Sequence, residues 1–142
     1  MPEAFRISQA ASLALHAMAL LASRRGGTLS TGEMARRLGA SEAHLSKVLQ
    51  RLLRAGLLAS SRGPKGGFSF PKGDEGVSLL EVYECIEGPF EPQECLLGEP
   101  ACGGRECVLG RVLERVNRDV RDYLARTRVG DLDGVFANGR RR

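Results

Sequence analysis

The chain holds 142 residues, 42% hydrophobic and 27% charged, which predicts one soluble folded unit and excludes a disordered tract, a collagen-like repeat or a large multidomain enzyme. Aromatics make up 5% and Trp is absent, so the core must be built from Leu, Ala and Val, a composition that favours closely packed helices. The net charge of +4 is unevenly placed: residues 1–73 carry 11 Lys/Arg against 3 Asp/Glu, and residues 74–142 carry 10 against 14.

Residues 7–24 are rich in Ala and Leu and predict a first helix, too apolar to face water on every side. Ser12 and His16 interrupt the apolar run and Glu3 spoils a basic leader, so neither a secretory signal nor a span of ~20 apolar residues is read there, and the expected location is the cytoplasm. Gly26 and Gly27 stop this helix. Ser30 and Glu33 then have capping-box spacing ahead of Met34, Ala35 and Leu38, which predicts a short second helix ending at Gly39.

Leu45, Val48, Leu49, Leu52 and Leu53 recur at three- and four-residue intervals, one face of a third helix closed by Gly56. Two short helices about a tight glycine turn give helix-turn-helix spacing over residues 30–54. Turn-rich Gly63-Pro64-Lys65-Gly66-Gly67 between residues 57–62 and 68–71 predicts a β-hairpin that projects as a wing. From Asp74 to Glu99 there are eight acids and no Lys or Arg, with a short helix expected over residues 78–87. Residues 88–104 lack periodicity. A long helix is expected from about residue 105 to 127, with Leu113, Val116, Val120 and Tyr123 spaced like a coiled-coil seam that would meet a second copy.

The expected fold is therefore mainly α with a small β-hairpin wing. A winged helix-turn-helix unit (1–73) is followed by a short helix and cysteine loop (74–104), a dimerisation helix (105–128) and a flexible basic tail (129–142).

The outer face of the third helix is basic and free of acids. A recognition helix needs side chains that reach base edges, flanked by cations that meet phosphates. Ser46, Lys47, Gln50 and Arg51 suit the bases. Thr31, His44 and Arg54 suit the phosphates, and Arg62 and Lys65 of the wing suit the neighbouring groove or its backbone. Taken singly, each could be solvated surface; the capped helix, tight turn, acid-free face and wing together favour double-stranded DNA.

The run Ser46-Lys47-Val48-Leu49-Gln50-Arg51-Leu52, then Ala55-Gly56-Leu57, then Arg62-Gly63-Pro64-Lys65-Gly66-Gly67-Phe68, resembles the Rrf-two family of winged-helix regulators, the IscR and NsrR type. The opening Ile7-Ser8 and Leu13-Ala14-Leu15 resemble that family's first helix, so the likeness covers roughly residues 5–127. It implies a homodimeric transcription regulator on a palindromic operator, commonly a repressor. In many members an iron–sulfur cluster, sensitive to redox state or nitric oxide, controls DNA affinity.

Cys95, Cys102 and Cys107 are spaced C-x6-C-x4-C among glycines. Without an export signal they are expected as thiols, and three gathered thiolates would repel one another unless a metal centre compensates; soft sulfur selects iron–sulfur or zinc. The resemblance, which places a three-cysteine cluster loop between wing and dimer helix, favours iron–sulfur, with two-iron and four-iron forms both open. In that family a histidine soon after the last cysteine can be the fourth ligand, but position 110 is Gly. Other members use the partner's first helix, where this chain offers Ser12 and His16. A zinc site or direct thiol sensor is the alternative. Cys85 reads as a small buried hydrophobe. A thiol oxidoreductase finds no support, because there is no C-x-x-C and no phosphate-binding glycine motif, so no enzyme is expected.

Overall fold

The computed structural model describes residues 7–24, 26–71, 76–91, 95–97, 99, 101–103 and 105–136. Among the described residues five α-helices and one hairpin follow in the order α1 (Gln9–Ala22), α2 (Thr31–Leu38), α3 (Glu42–Arg54), β1 (Ala59–Ser61), β2 (Gly67–Ser69), α4 (Leu79–Glu87), α5 (Val112–Arg126), and then a 3-10 helix at Val129–Leu132. Helix α1 is the axis of the interior and touches α2, α3, α4 and the 3-10 helix. Its buried Ala11, Ala14 and Ala17 are small enough to let neighbouring backbones approach. Met18, Leu20 and Leu21 fill the remaining space with Leu45, Leu49 and Leu52 of α3, Val82 of α4 and Val129.

Local chemistry sets the boundaries. Ser8 caps α1, its hydroxyl accepting from the Ala11 amide at 3.0 Å. Ser30 and Glu33 form the expected capping box on α2, and Ser78 with Glu81 forms another on α4. The carboxyl of Glu33 is held below the usual carboxylate range, first by the Ser30 amide and then by its hydroxyl. Gly39 turns left-handed (φ 64°) and Ser41 then caps α3, so three residues suffice to redirect the chain. Past α3, Gly56 (φ 76°) lets the Leu57 amide reach back to the Leu52 carbonyl at 3.0 Å.

The hairpin pairs Ala59 with Ser69 and Ser61 with Gly67. Phe68 also exchanges two backbone hydrogen bonds with Leu29, at 2.8 and 3.0 Å, so the α1–α2 connection adds a third short rung to the wing. Gly67 is glycine for a reason: a Cβ there would stand 2.4 Å from the Leu29 carbonyl oxygen.

Two expectations about the second half need correction. The long helix begins at Val112, not near residue 105, because Gly110 (φ 54°) and Arg111 (φ 64°) are both left-handed and break the ladder. Its apolar positions consequently divide. Leu113, Asn117 and Leu124 are buried in this chain, whereas Val112, Val116 and Tyr123 remain 45%, 41% and 48% exposed.

The tail expected to be flexible from residue 129 is packed as far as Phe136. Val129 is fully buried, and Leu132 and Phe136 lie against the core. A backbone bridge fixes this segment: the Leu79 amide donates to the Thr127 carbonyl at 3.0 Å and the Val129 amide to the Val77 carbonyl at 2.8 Å. The Arg140-Arg141-Arg142 terminus lies outside the described residues.

Candidate nucleic-acid interface and cysteine loop

Helix α3 buries Leu45, Val48, Leu49 and Leu52. On the opposite side Ala43, Lys47, Gln50 and Arg54 are exposed. Their spacing of four, three and four residues stacks them into one stripe of a 3.6-residue helix. Three of the expected contacts, Lys47, Gln50 and Arg54, thus stand in line on the solvent side. Ser46 and His44 flank the stripe and are half-buried, and Thr31 is half-buried at the first position of α2.

Arg51 departs from the expected set. Its guanidinium donates to the Ile86 carbonyl at 2.7 Å, with the Cys85 carbonyl at 3.5 Å. In this structure, though exposed, it joins α3 to the end of α4.

The wing presents Arg62, Pro64 and Lys65 to solvent. Its tip is closed by a Gly66 amide to Gly63 carbonyl bond at 2.9 Å and is moored by the Thr28 hydroxyl, which donates to the Lys65 carbonyl at 3.0 Å. Sequence reasoning missed Thr28, and no local signal could have found a partner 37 positions away. It also passed over Arg36 and Arg37, exposed in the last turn of α2, although their adjacency was legible as charge.

The cysteines are all free thiols among the described residues. Cys95 is half-buried, and Cys102 and Cys107 are exposed. Among the described residues no three His, Cys, Asp or Glu side chains meet in a group able to hold a metal. The donor set suits a thiolate-held centre in kind, but the loop does not gather it. Leu97 and Val108 beside these cysteines are 70% and 99% exposed.

On α1, His16 is exposed and its Nδ1 lies 2.7 Å from the Ser12 carbonyl oxygen. A carbonyl only accepts, so in this contact Nδ1 is the donor. Cys85 is different in character: half-buried on α4, its thiol is pushed up by burial against a smaller opposing pull from Arg51, and it donates to the Arg51 carbonyl at 3.7 Å.

A family model, Rrf2, described as an iron-dependent transcriptional regulator, matches residues 7–133. The chain belongs to the Rrf2 family. A Rhodopseudomonas palustris protein named as the HTH-type transcriptional regulator BadM is 34% identical over 122 residues, 86% of this chain and 74% of that one. The solved structure of CymR (YrzC), titled the global cysteine regulator of B. subtilis, is 28% identical, covers 92% of this chain and 98% of its own, and superposes with a TM-score of 0.75. T. potens IscR shares the fold with a TM-score of 0.68 at 21% identity, over 97% of this chain and 93% of its own.

The helices with a two-stranded hairpin are thus the winged-helix arrangement of Rrf2 neighbours. Rrf2 membership makes this a DNA-binding regulator of transcription and sets it apart from enzymes. No helix among the described residues is long and apolar enough to cross a membrane.

Proposed function

We propose that this Rrf2 regulator is a homodimeric repressor that lays α3 of each protomer into the major groove of one half of a palindromic operator, its affinity set by a redox- or nitric-oxide-sensitive iron–sulfur cluster. The acid-free stripe of Lys47, Gln50 and Arg54, opposite the buried face of α3, carries the DNA part. A major groove admits one α-helix, and Gln50 and Lys47 have the donors and length to reach base edges while Arg54 meets a phosphate. Ser46, His44 and Thr31 border that surface, and Arg62 and Lys65 extend it to the adjacent backbone. Val112, Val116 and Tyr123 on α5 offer the apolar face for a second copy, which sets the separation of the two reading helices.

Cys95, Cys102 and Cys107 would hold the cluster, and His16 of the partner subunit, or Ser12 of the partner subunit, would complete the ligand set. When bound, the cluster supplies a centre that oxidant, nitric oxide or iron shortage can alter. The chain's own part is to carry the cysteines on a segment that begins at the end of α4 and ends at the start of α5, so that ordering it bears on both. A coupling of ~1–3 kcal/mol would change operator occupancy about 5–150-fold.

A second reading, a direct thiol sensor or, with the same three thiolates, a zinc site, is favoured on the thiol side by one observation: CymR, 28% identical, is titled a cysteine regulator. Visible absorption with iron and sulfide analysis of anaerobically purified wild type and Cys102→Ala separates the two. A coloured wild type that bleaches in the variant supports the cluster, and colourless protein refutes it. Equal operator affinity of loaded and cluster-free protein at one salt concentration would refute switching.

A further inference from the structure

Helix α4 ends unfavourably by its own sequence. Its last turn carries Glu84 and Glu87 and no basic residue, although the carbonyl end of a helix bears partial negative charge. The cap residue Gly88 (φ 84°, ψ −175°) returns one bond, its amide donating to the Glu84 carbonyl at 2.9 Å. Arg51 supplies what α4 lacks, a cation with a fork of donors, delivered from α3. The contact runs both ways, since the Cys85 thiol donates to the Arg51 carbonyl.

The far end of α4 is held as well. Leu79 and Val77 pair with Thr127 and Val129 beyond α5, and the Arg128 guanidinium donates to the Gly76 carbonyl at 3.1 Å. Helix α4 therefore touches the recognition helix at its carboxyl end and the end of α5 at its amino end. Its carboxyl end is also where the cysteine segment starts.

We propose that Arg51 is a positioning residue, not a DNA contact: it caps α4 from within α3 and so ties the orientation of Lys47, Gln50 and Arg54 to the end of α4. Any movement of the α4 terminus that accompanies cluster gain or loss is passed through this tie to the reading face. The capping role stands on the geometry alone; the transmission rests on the cluster switch proposed above.

The test uses full-length wild type, Arg51→Gln and Arg54→Gln, with a duplex selected in vitro from a random library by the wild type. Arg54→Gln is expected to lower the slope of log affinity against log salt by ~0.9, the loss of one phosphate contact, whereas Arg51→Gln keeps the wild-type slope and the wild-type base preferences. A fall in slope in Arg51→Gln equal to that of Arg54→Gln would make Arg51 a phosphate contact, and relaxed discrimination at one base position would make it a base contact; either overturns the assignment. In a background with Cys95, Cys102 and Cys107 changed to Ser, alkylation of Cys85, taken per thiolate from its pH profile so that the lost pull of Arg51 on the thiol drops out, should quicken about tenfold on Arg51→Gln, the loss of a hydrogen bond to a charged group. An unchanged rate overturns the cap.

For transmission, the affinity ratio between loaded and cluster-free protein should collapse towards one in Arg51→Gln and recover in part in Arg51→Lys. A ratio retained in Arg51→Gln refutes transmission. A ratio of one in the wild type refutes the cluster switch, and with it transmission, while slope and alkylation still decide the cap. Should Arg51→Gln not fold, Arg51→Lys carries the alkylation and ratio readings with the same signs and smaller size.

Discussion

Ser30 shows how much a single side chain can determine. Its hydroxyl accepts from the Glu33 amide at 3.2 Å while its own amide donates to the Glu33 carboxylate at 3.0 Å, so two groups left over by helix geometry satisfy each other. Ser30→Ala should cost about 1 kcal/mol of stability, read as a lower urea midpoint at constant slope. Glu33 adds a pH signature. Its folded pKa is lowered by those same bonds, so the stabilisation is present above its unfolded pKa and is lost as pH falls through the folded value. Urea midpoints between neutral and acid pH should fall less in Glu33→Gln than in the wild type. The same scale governs reading of DNA: Gln50→Ala should reduce discrimination at one base position by ~1–3 kcal/mol with little change in salt slope, measured by competition between single-base operator variants. The capping box and the Lys47–Gln50–Arg54 stripe were legible because both are local periodicities. Arg51 was not, since its sequence neighbours look identical whether it faces a groove or a helix end 35 positions away.

At the scale of elements, α2, α3 and the hairpin follow the sequence pattern because capping residues, glycine turns and apolar spacing agree. Helix α5 fails that agreement at its start. The apolar spacing runs on through Leu109, but Gly110 and Arg111 adopt left-handed backbone and set the boundary seven positions later than expected. Spacing alone also could not show that Leu113 and Leu124 turn inward while Val112, Val116 and Tyr123 face out, because that division depends on where α4 lies. The wing is held by backbone proximity as much as by side chains. Gly67→Ala would drive a methyl group into the Leu29 carbonyl and should destabilise by more than about 1 kcal/mol, seen as a reduced melting temperature, with loss of wing-dependent DNA affinity before global unfolding. The cysteine segment was legible as donors but not as an arrangement: residue types are local, whereas their gathering depends on loop conformation.

At the scale of the whole molecule, charge and apolar surface divide the work. Under the proposed function the basic residues of 1–73 would meet a polyanion, and the stripe on α5 would join two copies. Val116→Asp with Tyr123→Asp should yield monomers by light scattering and weaken operator binding far more than binding of a single half-site. The boundary expected at residue 74 does not interrupt the interior, which runs from Ala11 through Leu52 and Val82 to Leu124 and Val129. Helix α1 rests on the 3-10 helix at Val129–Leu132, more than a hundred positions later in the chain. During synthesis the hydrophobic side of the first helix is therefore covered in full only once residue 132 has emerged. Calorimetry should accordingly record one melting event for both halves, and a protease that clips the stretch around Val129 would disarm the groove-reading end without touching it.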